Sequence, residues 1–112
     1  MEISFANRKL EKIFSDHKSL LREYGTIRAK LIKKRLAEFM AAETLSMLST
    51  LPQVRCHELI GNRKGTLAVD LDHPYRLIFK PTDDPLPVKN DGGLDWNSVK
   101  SIKILEVVNY HE

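Results

Sequence analysis

Apolar and polar residues alternate in two parts of the chain, and this period of two is typical of strands with one buried face. The first part alternates Ile3 and Phe5 with polar residues, which predicts a strand over 2–6. The second part contains three runs separated by turn residues, Gly61-Asn62 and Asp72-His73-Pro74. In the middle run the apolar positions are Leu67, Val69 and Leu71. We therefore predict a β-meander with strands at 54–60, 66–71 and 75–80.

Between these parts, apolar residues recur at the spacing of helices. Asn7 is expected to cap a first helix from Arg8 to Tyr24, and Gly25 is expected to end it. A connection of one residue, Gly25, favours antiparallel packing of the helices on either side of it. The segment after Gly25 is therefore expected to fold back as the second helix of a hairpin.

The second helix is expected to follow Thr26, its N-cap, and to bury one apolar stripe. The stripe is formed by Ala29, Ile32, Leu36, Phe39 and Met40. Four basic residues are expected to lie mostly off it: Arg28, Lys30, Lys34 and Arg35. The apolar pattern then shifts to Leu45, Leu48 and Leu51, which predicts a bend or a restart before Pro52.

Residues 82–101 have the composition of a long loop, with prolines, a Gly-Gly pair and aspartates. Loops of this length are uncommon in compact domains. This one is expected to be mobile or to make a contact, with Trp96 as its anchor to the core or to a partner. The last strand is predicted at 102–110, and its apolar residues on both faces indicate a position inside the sheet.

The order of these elements predicts an α+β fold, with an N-terminal strand and a helical hairpin packed on one face of a mostly antiparallel, twisted sheet. With 112 residues, 42% of them apolar, the chain is expected to form one domain, 1–112. One cysteine, no signal-peptide pattern and no apolar stretch of membrane-spanning length favour a cytoplasmic protein.

Positive charge is concentrated in the predicted helices. The net charge of the whole chain is only +3, but the first 35 residues contain ten basic and four acidic side chains. Such a basic face can bind phosphates through the release of counterions, and it can equally be a solvated helix surface. Both interpretations stay open at this point.

Metal and nucleotide-cofactor chemistry have no support in the sequence. The four histidines and Cys56 occur at none of the spacings that build a local metal site, and there is no phosphate-binding glycine motif and no serine elbow. We expect neither a metal nor a cofactor.

Residues able to transfer protons or bind phosphates occur on three predicted strands. They are Arg55 and His57 on the first meander strand, Arg76 and Lys80 on the third, and Asn109, Tyr110 and His111 at the end of the last. Strand alternation places Arg55 and His57 on the same face of their strand. In the same way, Arg76 shares a face with Lys80, and Asn109 shares a face with His111. Whether the three sets share a face is undetermined, and each side chain could instead have a structural role.

Three motifs resemble a known family. The segment RCHELIGNRKG, the strand HPYRLIF and the terminal NYH are similar to the HigB branch of the RelE/ParE toxin superfamily. That branch has a His-x-Leu-Lys-Gly segment, a Tyr/Trp-Arg-Ile-x-Phe strand and a terminal Asp-Tyr-His. The resemblance covers most of the chain except the long loop, and it implies the RelE-like form of the α+β fold.

The resemblance implies a toxin of a type II toxin–antitoxin system, which cleaves messenger RNA on the ribosome without a metal and so inhibits translation. Its implied partners are the ribosome with its message and a helix-turn-helix, HigA-like antitoxin, and DNA would be bound only through the antitoxin complex. His57 and His111 would share the acid–base work. Arg76 would stabilise the phosphate, and Tyr110 would stack on a base or form a hydrogen bond.

Two positions depart from the family pattern. Asn109 stands in place of an acid and takes no proton at neutral pH, so it would orient other groups rather than ionise. Ile60 stands in place of a lysine, so RNA binding would depend on other cations. The candidates are Arg55, Arg63, Lys64 and Lys80.

Two other functions are consistent with the sequence. A ParE-like toxin would inhibit gyrase by binding on the same fold, although such chains generally lack the histidine together with the terminal Tyr-His. A regulatory partner of an antitoxin would have lost catalysis through the change from acid to amide at Asn109.

Overall fold

The computed structural model describes residues 1–109 and shows an α+β fold, with helices packed on a mixed five-stranded sheet. Tyr110 and His111 lie outside the described residues. The helices are α1 (Arg8–Ser15) and α2 (His17–Ala41). The strands are β1 (Glu2–Phe5), β2 (His57–Glu58), β3 (Leu67–Asp70), β4 (Tyr75–Pro81) and β5 (Ser101–Asn109). Short 3-10 helices lie at Leu45–Thr50, Gly61–Arg63 and Trp96–Ser98.

The sheet order is β1-β5-β4-β3-β2, so the predicted meander is confirmed and β5 lies inside the sheet as predicted. β1 is parallel to β5, and the other three pairings are antiparallel. The first meander strand is much shorter than the predicted 54–60. Arg55 has a φ of 49°, which interrupts the extended backbone and leaves only His57 and Glu58 in β2.

The prediction of one helix from Arg8 to Tyr24 is wrong. Asp16 leaves the helical conformation, with φ −123° and ψ 119°, and its carboxylate accepts a hydrogen bond from the backbone N–H of Ser19. Asp16 is therefore the N-cap of a second helix, α2, rather than a residue inside the first.

The predicted hairpin at Gly25 is present, although α2 formally continues through it. Gly25 has φ 78° and ψ 170°, which divides α2 into segments 17–24 and 26–41. Lys33 Nζ lies 2.6 Å from His17 Nδ1 across 16 residues, whereas a continuous helix would separate residues so spaced by about 24 Å. The chain therefore reverses at Gly25.

The helices cover one face of the sheet, and the main core lies between the helices and that face. Phe39 from α2 meets Phe79 from β4 with ring centroids 5.0 Å apart. The sheet side of this core is formed by Leu67, Val69, Leu71, Leu77, Phe79, Ile102 and Ile104. Met40 was expected in the apolar stripe, but it is 64% exposed and lies outside the core.

The opposite face of the sheet, called the open face below, is not covered by α1 or α2. It holds a small apolar cluster of Leu59, Ala68 and Ile78, flanked by Leu105 and Val108. A register shift between Ile78 and Phe79 leaves Leu105 without a partner on β4. Asp70 and Arg76 alternate with main-core residues on β3 and β4, so they also project on the open face.

The long loop is attached to the domain at Asp83, near its start, and at Trp96, near its end. The Asp83 carboxylate accepts hydrogen bonds from the backbone N–H groups of Lys100 and Ser101. Trp96 packs against the main core, and its Nε1 donates to Glu58 Oε2 at 2.9 Å. The predicted role of Trp96 as an anchor to the core is confirmed. None of the helices formed by residues 1–109 is long and apolar enough to cross a lipid bilayer.

Candidate active site

A cavity of about 350 Å³ opens beside β2 and is lined by Arg55, Cys56, His57 and Arg76. The strand register explains why residues so distant in sequence meet there. His57 is opposite Ala68, Ala68 is opposite Ile78, and Asp70 is opposite Arg76. Residues directly opposite each other project on the same face, so His57 and Arg76 share the open face.

The imidazole of His57 is oriented by the backbone. Its Nδ1 lies 2.8 Å from the carbonyl oxygen of Arg55. A carbonyl can only accept, so Nδ1 carries the proton and donates, which leaves the lone pair on Nε2. This tautomer allows Nε2 to accept a proton from a bound molecule.

The conformation of Arg55 brings its own side chain to the same cavity. A φ of 49° is unusual for a residue with a side chain and costs about 1–3 kcal/mol. Val54, next to it, is anchored because its carbonyl oxygen accepts from the Asp70 N–H at 2.9 Å. Strained backbone that is held in this way is often found at functional sites.

A carboxylate lies between the two arginines of the cavity. Asp70 Oδ2 is 3.5 Å from Arg55 Nε, and Asp70 Oδ1 is 3.4 Å from Arg76 Nε. The side chains of Arg76 and Asp70 are 15% and 24% exposed, so the pair is largely shielded from water. The two guanidinium groups and the Asp70 carboxylate together carry a net charge of +1.

Cys56 lines the cavity but is not an activated nucleophile. Burial, assisted by the nearby charge of Glu58, raises the pKa of the Cys56 thiol to about 12. The thiol is therefore protonated at neutral pH, and thiolate catalysis with His57 is disfavoured.

The buried guanidinium of Arg35 holds the site from the helix side. Its Nε donates to the Asp70 carbonyl oxygen at 2.7 Å, and its second terminal nitrogen donates to the Gln53 carbonyl oxygen at 3.2 Å. Its first terminal nitrogen forms an ion pair with Glu38 Oε1 at 2.8 Å. The expectation that Arg35 lies off the buried stripe is wrong, since only 4% of the residue is exposed.

Arg28 is also partly buried, with 21% of its side chain exposed. Its guanidinium forms a bidentate ion pair with Asp72, at 3.0 Å for both contacts, and lies 3.3 Å from the centroid of the Tyr75 ring. It joins α2 to the turn between β3 and β4, so its role is structural.

Three of the predicted RNA-binding residues lie outside the cavity lining. Arg63 faces Glu106, with 3.4 Å between its terminal nitrogen and Oε2. Lys64 is exposed close to the tip of the β2–β3 connection. Lys80 is exposed on β4 opposite Lys103, and it lies four residues, or about 13 Å, from Arg76 along the strand. Only Arg55 of this predicted set lines the cavity.

The predicted terminal group is only partly within the described residues. Asn109 is opposite Tyr75, which packs against the main core, so the register directs Asn109 towards the helix-covered face. It does not join His57 and Arg76, and its catalytic role stays a prediction. The predicted sites at Tyr110 and His111 lie outside residues 1–109.

Asp70 and Arg35 are the site residues that sequence reasoning missed. The alternation of Leu67, Val69 and Leu71 already directs Asp70 to the opposite face of β3. Arg35 follows Ile32 by three residues and precedes Phe39 by four, which is the spacing of a buried position. Both signals were present, but neither reveals a partner.

No cluster of three or more potential ligands that could hold a metal ion occurs within residues 1–109. No family model matches this chain, and no curated protein is similar enough to count as a relative. The resemblance carried by the three motifs therefore stays a prediction.

Proposed function

We propose that this chain is a toxin of the HigB branch of the RelE/ParE superfamily, with a RelE-like fold, and that it cleaves messenger RNA on the ribosome. One observation carries the proposal. His57 and Arg76, which the resemblance assigns to proton transfer and phosphate binding, line one cavity on the open face. Arg55 adds a second cation to the same cavity.

The chemistry of RNA cleavage requires three groups. A base takes the proton of a 2′-OH, whose oxygen bonds to phosphorus, and the bond from phosphorus to the 5′-oxygen breaks. His57 Nε2 is suited to the first step because Nδ1 is already occupied by the Arg55 carbonyl. Arg76 and Arg55 would stabilise the charge that develops on the phosphate oxygens. The resemblance assigns acid–base work to His57 and His111 without an order, so with His57 as the base, protonation of the 5′-oxygen would fall to His111.

The proposed partners follow from the resemblance. They are the ribosome, its message and a helix-turn-helix antitoxin, which place the protein in the cytoplasm. The exposed basic side chains of α1 and α2 are consistent with a polyanionic partner, because each can replace a counterion of a phosphate.

The test compares His57→Gln with His17→Gln during expression without an antitoxin. His17 is an exposed histidine on the helix side, in contact with Lys33, so it controls for loss of an imidazole. We expect wild type and His17→Gln to arrest growth and to cleave the message on purified translating ribosomes. We expect His57→Gln to cleave at least about 100-fold more slowly, the contribution typical of a general base.

Equal cleavage by His57→Gln and wild type would remove the proposed base. A DNA-damage response in expressing cells with intact messages would instead support a ParE-like gyrase inhibitor. Normal growth of cells that express the wild-type chain alone would support a regulatory partner of an antitoxin.

A further inference from the structure

The Asp70 carboxylate lies at ion-pair distance from both arginines of the cavity but does not itself line the cavity. The cavity lining consists of Arg55, Cys56, His57 and Arg76, and Asp70 does not belong to it. Both arginines approach the carboxylate with Nε, at 3.5 Å for Arg55 and 3.4 Å for Arg76. An anion in the cavity could therefore contact the guanidinium groups without displacing Asp70.

The backbone of Asp70 is fixed on both sides. Its N–H donates to the Val54 carbonyl oxygen at 2.9 Å, and its carbonyl oxygen accepts from Arg35 Nε at 2.7 Å. Asp70 Oδ1 is buried and accepts no hydrogen bond from residues 1–109, although it lies at ion-pair distance from Arg76. A buried acceptor is normally satisfied, so this carboxylate is retained at some cost in stability.

Two guanidinium groups that line one small cavity repel each other unless an anion lies between them. Asp70, at ion-pair distance from both, supplies that anion. The three charged groups together carry one net positive charge, which a single phosphodiester would neutralise.

We propose that Asp70 is a positioning residue that aligns Arg55 and Arg76 so that both contact one tetrahedral oxyanion in the cavity. The biological role of that anion, a phosphodiester of RNA, rests on the function proposed above. The alignment itself is a property of the free protein.

The sign of one effect separates this role from simple electrostatics. If Asp70 acted only through its charge, replacing it by the isosteric neutral Asn would strengthen anion binding, because a negative charge near the anion is removed. If Asp70 aligns the arginines, the same replacement weakens binding, because two guanidinium groups lose their shared geometry.

The experiment titrates inorganic phosphate into the full chain and follows the Nε–Hε signals of the arginines by nuclear magnetic resonance. In wild type, we expect the signals of Arg55 and Arg76 to shift together, with one dissociation constant. Asp70→Asn is expected to raise that constant about tenfold, which corresponds to 1.4 kcal/mol. Asp84→Asn, the same charge change at an exposed loop position, is the matched control and is expected to bind as wild type does.

Unchanged or tighter binding by Asp70→Asn would overturn the proposal. It would also be overturned if the two wild-type arginine signals did not shift with the same dissociation constant, a measurement that does not require any variant to fold. Phosphate binding with the expected loss in Asp70→Asn, but without cleavage of messages by wild type, would refute the proposed nuclease and leave the positioning role standing.

Discussion

Replacing Arg35 by Met tests whether one buried guanidinium holds the candidate site to the core. Arg35 is 4% exposed and donates to three acceptors on different parts of the chain: the Asp70 and Gln53 carbonyl oxygens and the Glu38 carboxylate. Methionine fills similar space and keeps the apolar contacts of the side chain, so the change removes chiefly the charge and the donors.

The expected loss in free energy of unfolding is about 3–5 kcal/mol, the usual cost of breaking a buried ion pair by removing one partner. The Glu38 side chain is only 15% exposed and would keep one long contact, 3.3 Å, from the Gln53 amide. The Asp70 and Gln53 carbonyls would lose a charged donor. Because domains are typically stable by about 5–15 kcal/mol, the variant is expected to lose a large part of its stability.

Urea unfolding followed by circular dichroism measures this loss, with Lys34→Met as the control. Lys34 is the exposed neighbour and carries the same charge, so its replacement is expected to change stability little. The double variant Arg35→Met with Glu38→Leu is expected to recover much of the loss, since no unpaired charge remains in it. A loss below about 1 kcal/mol in Arg35→Met would refute the argument that this ion pair must be kept whole.

Two further predictions concern the loop anchor and a helix cap. Trp96→Phe removes the donor to Glu58 and part of the buried ring, so it is expected to lower the unfolding free energy by about 1–3 kcal/mol in urea, and an unchanged midpoint would contradict the anchor. Hydrogen bonds from the Ser19 hydroxyl and N–H lower the pKa of Asp16 below 3.8. The ionised carboxylate therefore stabilises the folded state above pH 3.8, and this stabilisation is lost as the pH falls through the lower folded-state pKa. Asp16→Asn keeps a capping side chain but is expected to flatten that part of the stability–pH curve, and an unaltered curve would show that Asp16 does not contribute.

The sheet and the hairpin could be predicted because their signals are local. A strand with one buried face shows a period of two within a few consecutive residues, as at Leu67, Val69 and Leu71. Gly25 marks the reversal because its φ of 78° disfavours any residue with a side chain. These features require no knowledge of the rest of the chain.

The break at Asp16 was missed because capping depends on backbone conformation that apolar spacing does not report. The stripe continues from Phe14 to Leu20 as if the helix were unbroken, and both residues are buried. Ser19 following Asp16 by three residues is compatible with a cap, and it is equally compatible with an exposed helical turn. Which of the two conformations forms depends on their relative free energies, and the structure shows Asp16 as the N-cap.

The residues that organise the candidate site were harder to predict, because their roles depend on partners far away in the sequence. Arg35 has the spacing of a buried residue, but a charged side chain is rarely buried unless hydrogen-bond acceptors are positioned to pair with it. Those acceptors belong to β3 and to the segment before β2. The shortness of β2 likewise follows from the backbone of Arg55, which no residue-type preference indicates.

The helix-covered face of the sheet carries the main core, and the open face carries the residues of the proposed chemistry. Arg35 links the two, because it is buried in the helix side and binds the backbone of Asp70. The main core lies on the helix side, so the side chains of His57 and Arg76 on the open face can change without leaving a void in it. The backbone that aims them is different, because Arg35 reaches from α2 to the carbonyl of Asp70. Loss of Arg35 should therefore disturb the alignment of the two cavity arginines even where the fold survives, whereas changes at His57 should affect the chemistry alone.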